Sequence, residues 1–269
     1  MIVSTFIASF VMWIENPNRK MDDSIQEEAI QQEIAKEYQI IMEKYDMDEE
    51  EAYRFMLESG DGIPVNGEGM VITGVANVSA AFMIFSILAS LFISTEFKSG
   101  SLKISVAFGN SRKRIYTAKM LVYWLGGLLL GWIFPIVGGI VISFACGWGR
   151  PLSRECLLYL LRLFILGSLL HISALTVIGA IAIATKQIGA TIGIGFALGG
   201  IAEILYGSGR LIQVGHFKWP HYFWIGQYNV LLKETVTSAQ LLEMIAWGVL
   251  VTLVAFCVGL HLFEKAEFE

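Results

Sequence analysis

Charge is scarce in this chain: Asp, Glu, Lys and Arg make up 16% of its 269 residues, against about 25% in a soluble domain. No broad basic face can be assembled from so few cations, which excludes a nucleic-acid partner that works by neutralising phosphates. No G-x-x-x-x-G-K-[ST] loop occurs, so the chain is not itself a Walker-type ATPase. Cysteine is limited to Cys146, Cys156 and Cys257, with no CxxC pair to hold a metal. Cys257 lies in an apolar run, where a thiol behaves as a small hydrophobe. Cys146 and Cys156 flank a short loop, a spacing that permits a disulfide. His216 and His221, five apart, are weak grounds for a metal site, and nothing marks a catalytic group.

What the chain has is apolar residues, 55% of the total, gathered in long blocks. A bilayer demands such blocks, and about 20 residues of helix cross its hydrocarbon core. Six are expected to span: residues 1–14, Val71–Ser94, Met120–Cys146, Leu157–Thr185, Ile188–Tyr206 and Leu241–Phe263. The first is short, but lacks the basic start and cleavage site of a secretory signal. Lipid offers the backbone no partner, so each span must be helical. The fold class is therefore an all-α membrane protein, with Pro135 a kink point in the third span.

Residues 95–119 carry Lys98, Lys103, Arg112, Lys113, Arg114 and Lys119. By the positive-inside rule this segment is cytoplasmic. Alternation then places 15–70, 147–156 and 207–240 outside, although Arg150 and Arg154 count against it. Sixteen of the 24 acidic residues lie between Glu15 and Glu68, in the first outer segment. Ser24 and Glu27 form a capping box there, with Ile30, Ile34, Tyr38, Ile41 and Tyr45 at helical spacing behind it. Asp46 or Asp48 can cap a second helix, so 15–70 reads as an extracytoplasmic helical hairpin. It is a solvated helix pair, or a cap whose field attracts cationic substrates. Glu49, Glu50 and Arg54 spell E-E-x-x-x-R, a membrane-peptidase motif, but in a polar helix without histidine partners it argues weakly for that chemistry.

Inside the spans, Gly127/Gly131, Gly189/Gly193 and Gly195/Gly199 form GxxxG steps. They suit close helix packing within one subunit better than a sliding interface. Ionisable groups at the bilayer centre cost about 2.5–3.5 kcal/mol on insertion scales, so Arg162, His171 and Glu203 stand out, with Asn77 in the second span. Asn77, His171 and Glu203 are candidates for a substrate path, against the plainer reading of packing hydrogen bonds and interfacial reach. The aromatics from Phe217 to Trp224 suit a re-entrant or interfacial helix in the last outer loop.

Residues 96–119 read EFKSGSLKISVAFGNSRKRIYTAK. Glu96, Gly100, Ser101, Leu102, Lys103, Ser111, Arg112 and Lys119 match a pattern of acid, Gly-[Ser/Thr]-Leu-Lys, short helix, Ser-Arg turn and Lys opening the next span. In this the chain resembles the ABC type-2 transporter permeases, and six spans with a large first outer loop fit the same family. The basic amphipathic helix that usually precedes the family's first span is absent.

The resemblance implies that 95–119 is a coupling helix, in which Glu96, Gly100, Ser101, Leu102, Lys103, Phe108 and Arg112 engage a separate ATP-binding subunit. ATP and Mg would then be bound by that partner, and no cofactor by this chain. It also implies a second permease, identical or paralogous, and residence in a bacterial plasma membrane. The function expected is export of peptides, lipids or drugs, as in bacteriocin-immunity and peptide-export systems. The rival is an extracytoplasmic peptide receptor or immunity protein that transports nothing.

Overall fold

The computed structural model describes residues 66–149, 153–209, 223–233 and 236–266, with the backbone alone for 155 and 202–209. All belong to one compact unit, Pro64–Glu269, and every described element is a helix. In order they are α1 (Gly67–Ala76), α2 (Val78–Ala89), a π-helical turn (Ser90–Ser94), α3 (Thr95–Ser99), α4 (Ser101–Ala107), α5 (Arg112–Cys146), α6 (Arg154–Thr185), α7 (Ile188–Gly209), α8 (Trp224–Leu232) and α9 (Ser238–Lys265). The expected first span, 1–14, and all of the expected outer hairpin before Asn66 lie outside the described residues.

Four segments are long and apolar enough to cross a membrane: Val78–Ser99, Arg112–Cys146, Cys156–Thr185 and Ser238–Lys265. In α7 the apolar stretch among the described side chains is Ile188–Ile201. The second span differs most from the sequence expectation. Instead of one helix over Val71–Ser94, the chain breaks at Asn77, whose side chain accepts from the Ala80 amide at 2.9 Å and caps α2. Asparagine is among the best N-caps because its short amide competes for backbone partners. Membrane length is regained at the other end, where the π-turn carries α2 on to Ser99. Pro135 lies inside α5 without ending it.

Burial ranks the helices. In α6, 61% of the most apolar window is inside the protein, against 28% for α5 and 17% for α9, so α6 is the central post. It touches α2, α5, α7, α8 and α9. The outer faces of α5 and α9 carry exposed Leu129, Phe134, Val137, Leu250 and Leu253, as a lipid-facing surface should.

α1 and α2 run antiparallel along α5, and glycine permits the contact. The Gly67 and Glu68 amides donate to the Gly147 and Trp148 carbonyls at 3.0 and 2.9 Å. The first amides of α1 thereby satisfy carbonyls just past the end of α5, and Asn66 caps Gly69 at 2.8 Å. A Cβ on Gly67 would collide with the Ser143 side chain and come within 2.7 Å of the Gly139 carbonyl. Backbone cannot yield as a side chain can, so Gly67→Ala is expected to cost about 1–3 kcal/mol, the usual range for overpacking. A lower thermal midpoint in detergent checks this, with Gly193→Ala, in open space, as the neutral comparison.

Two of the three GxxxG steps serve packing within the chain. A Cβ on Gly127 would meet Leu175 Cδ1 at 2.6 Å, and one on Gly131 would meet His171 Cδ2 at 2.8 Å. Gly195 and Gly199 receive Ser86 and Ser79 of α2. Among the described residues, nothing lies within 4 Å of a Cβ at Gly189 or Gly193. Cys146 and Cys156 are free thiols, one exposed and one buried, so the disulfide that their spacing permits is not formed.

Candidate functional site

The basic segment between the first two long helices is built as an elbow. α3 ends at Gly100, whose φ of 69° is left-handed, a conformation that costs other residues about 1–2 kcal/mol. The turn redirects the chain into α4, and Ser111 then caps α5 through the Arg114 amide.

Most residues of the sequence motif hold this elbow in place. Glu96 and Lys119, 23 positions apart, form an ion pair between the two arms. Their side chains are only 29% and 18% exposed, so the pair is better shielded than an ordinary surface bridge. Lys119 also lies 5.8 Å from the centre of the Phe92 ring. Leu102 is 2% exposed and part of the core. Arg112 donates to the Glu264 and Ala266 carbonyls at 2.5 and 2.8 Å. A cation there satisfies carbonyls that the end of α9 leaves over and complements its dipole. Lys113 adds an ion pair to Glu264 at 3.8 Å, and Phe97 meets Phe263 edge-on at 5.9 Å.

Three residues expected to engage a partner, Glu96, Leu102 and Arg112, therefore make contacts within the chain. Leu102 is a core residue because a seven-residue helix lying on the bundle must bury one side. Arg112 is committed to the end of α9. What the elbow presents outward is Ile104, 60% exposed, and Phe108, 82% exposed, with Lys103 exposed next to Ile104 in the chain. Lys98, Lys113 and Arg114 are also exposed. A large aromatic and a branched aliphatic beside cations form the kind of surface that anchors a partner.

Of the candidate path residues, Asn77 and His171 have separate partners. Asn77 caps α2. Glu203 is in α7, with its side chain outside the described residues. His171 is 3% exposed in a cluster of its own. Its Nδ1 lies 2.6 Å from the Gly167 carbonyl and 2.9 Å from the Tyr228 hydroxyl. A carbonyl can only accept, so Nδ1 carries a proton and the Tyr228 oxygen shares it. Phe85 and Trp132 enclose the ring at 5.4 and 5.6 Å.

Tyr228 belongs to α8, whose partners lie in order along α6. Trp224 Nε1 donates to Ser173 Oγ at 2.7 Å, Tyr228 meets His171, and the Tyr159 hydroxyl donates to the Leu232 carbonyl at 3.1 Å. Arg162 donates to the Leu231 carbonyl at 3.4 Å and to that of Lys233. From Tyr159 to Ser173 is about 21 Å of helix. α8 therefore starts near mid-height of α6 and climbs back to the end opposite the basic segment. Arg162 and His171 thereby join α6 to α8, while most of the aromatic run from Phe217 to Trp224, expected to form a re-entrant or interfacial helix, lies outside the described residues. Nothing local in the sequence marks Ser173, Tyr159 or Tyr228 as partners, since each contact joins positions more than 50 apart.

Among the described residues no group of three or more His, Cys, Asp or Glu could hold a metal. No family model, curated protein or solved structure matches the chain.

Proposed function

We propose that the chain is the six-span permease subunit of an ATP-driven exporter of the ABC type-2 kind, moving peptides, lipids or drugs with a separate ATP-binding subunit. The observation that carries this reading is the elbow at 95–119. Its motif residues fix a short helix rigidly to two long spans and to the end of α9, while Ile104 and Phe108 stand unburied at its outer side. A membrane protein exposes large apolar groups freely to lipid, but this pair lies among exposed cations, where water or another protein is the neighbour. A partner seated on Ile104 and Phe108 would push on α5 and α9 through the Glu96–Lys119 and Arg112 contacts. The exposed Gly189–Gly193 step suits close approach of a second permease.

The test is purification of the tagged chain from its native membranes. A nucleotide-hydrolysing subunit should accompany it, and its absence would sink the proposal. The acidic segment 15–70 favours cationic peptides as cargo, and it also keeps the receptor reading alive. Peptide-stimulated ATPase activity of the complex separates the two, because a receptor binds peptide without it.

A further inference from the structure

Between the far halves of α5 and α6 lies an apolar groove of about 260 Å³, with Trp132, Ile136 and Ile140 on one wall, Leu160 and Phe164 on the other, and Trp148 at its end. We infer that this groove seats one acyl chain of a bilayer lipid, in the leaflet opposite the basic segment.

Dimensions point first to that occupant. Trp132 to Ile140 is about 12 Å of helix, close to the roughly 15 Å of one leaflet's hydrocarbon. The volume falls below the roughly 300–1,000 Å³ of pockets for drug-sized ligands, and so suits a chain rather than a whole molecule. The flanks carry exposed Ile133, Val137 and Leu161, which makes the groove continuous with the lipid-facing surface.

The polar atoms agree. At the deep end the Trp132 indole is satisfied by Ser168 Oγ at 3.0 Å, so the groove floor offers a chain only apolar surface. Trp132 also separates the groove from the His171–Tyr228 pair. At the shallow end the Trp148 indole nitrogen is buried without a hydrogen-bond partner. A buried donor left unmade costs about 1–3 kcal/mol. Trp148 closes this end of the groove, and indoles favour the mixed apolar and polar surroundings of the membrane interface. The inference stands apart from the export reading, since it uses no residue of the elbow.

Native mass spectrometry of the detergent-purified chain tests it. One phospholipid should remain on the wild type. Ile140→Trp, which fills the groove from a half-exposed position, should lower the retained fraction at least tenfold. Ile133→Trp, on the flank, should retain phospholipid as the wild type does. Matching thermal midpoints for the two variants show that folding is not the cause. Retention of detergent only, of fatty acid only, or of equal phospholipid by both variants would overturn the assignment.

Discussion

Phe108→Asp should strip the nucleotide-hydrolysing partner from the purified chain while leaving the permease folded. Phe108 is 82% exposed, and substitutions at such sites usually change stability by no more than about 0.5 kcal/mol. An aromatic anchor at an interface centre is worth about 2 kcal/mol or more, which is roughly 30-fold in affinity. Co-purified ATPase activity should fall by that factor or more, with the thermal midpoint unchanged. Leu102→Asp makes the useful contrast. Leu102 is the residue that the motif nominates as an anchor, but it lies in the core. Truncating a buried Leu costs about 2–5 kcal/mol, and a carboxylate there adds an unpaired buried charge. The chain should fail to fold, so loss of the partner in that variant would say nothing about docking. An unchanged partner yield with Phe108→Asp would remove this surface from the account.

The second large effect is expected at Arg162. Its guanidinium joins α6 to the end of α8 through the Leu231 and Lys233 carbonyls and lies 5.1 Å from the Tyr159 ring. Arg162→Met keeps most of the apolar stem and removes the donors. Hydrogen bonds from a charged donor contribute about 1.5–3 kcal/mol, and both bonds are part-buried. Hydrogen exchange of residues 224–233 should therefore rise by at least tenfold relative to α6. Tyr228→Phe should have a smaller effect, because a proton on Nδ1 keeps the Gly167 carbonyl as partner. Equal exchange in wild type and Arg162→Met would show that α8 is held by apolar packing alone.

The long helices were legible because apolar blocks and helices follow the same constraint. Met120–Cys146, Leu157–Thr185 and Leu241–Phe263 all lie within α5, α6 and α9, which extend further. The extra turns came from polar caps just outside the blocks: Ser111, Ser153 and Thr237 each accept from an amide three residues on. Asn77 was legible as a polar residue in a span but not as a break, since hydropathy does not see a side chain turning back on its own backbone. The basic elbow was legible from its charges, and the Gly100 turn agrees with its Gly-Ser-Leu-Lys run. Which way α4 faces was not, because seven residues give too few turns for periodicity to separate Leu102 from Phe108. The Glu96–Lys119 pair and the α8–α6 contacts were beyond reach for a different reason: they join distant positions, and only packing brings these together.

The central proposal is that an ATP-binding subunit sits on the outward side of the basic elbow. A photoreactive residue at position 108 tests this in intact native membranes. A second at position 144 serves as comparison, where Phe144 is 89% exposed at the opposite end of α5. The account predicts a protein adduct at 108 whose peptides belong to a nucleotide-binding subunit, and no such adduct at 144. Lipid adducts alone at position 108 would contradict it.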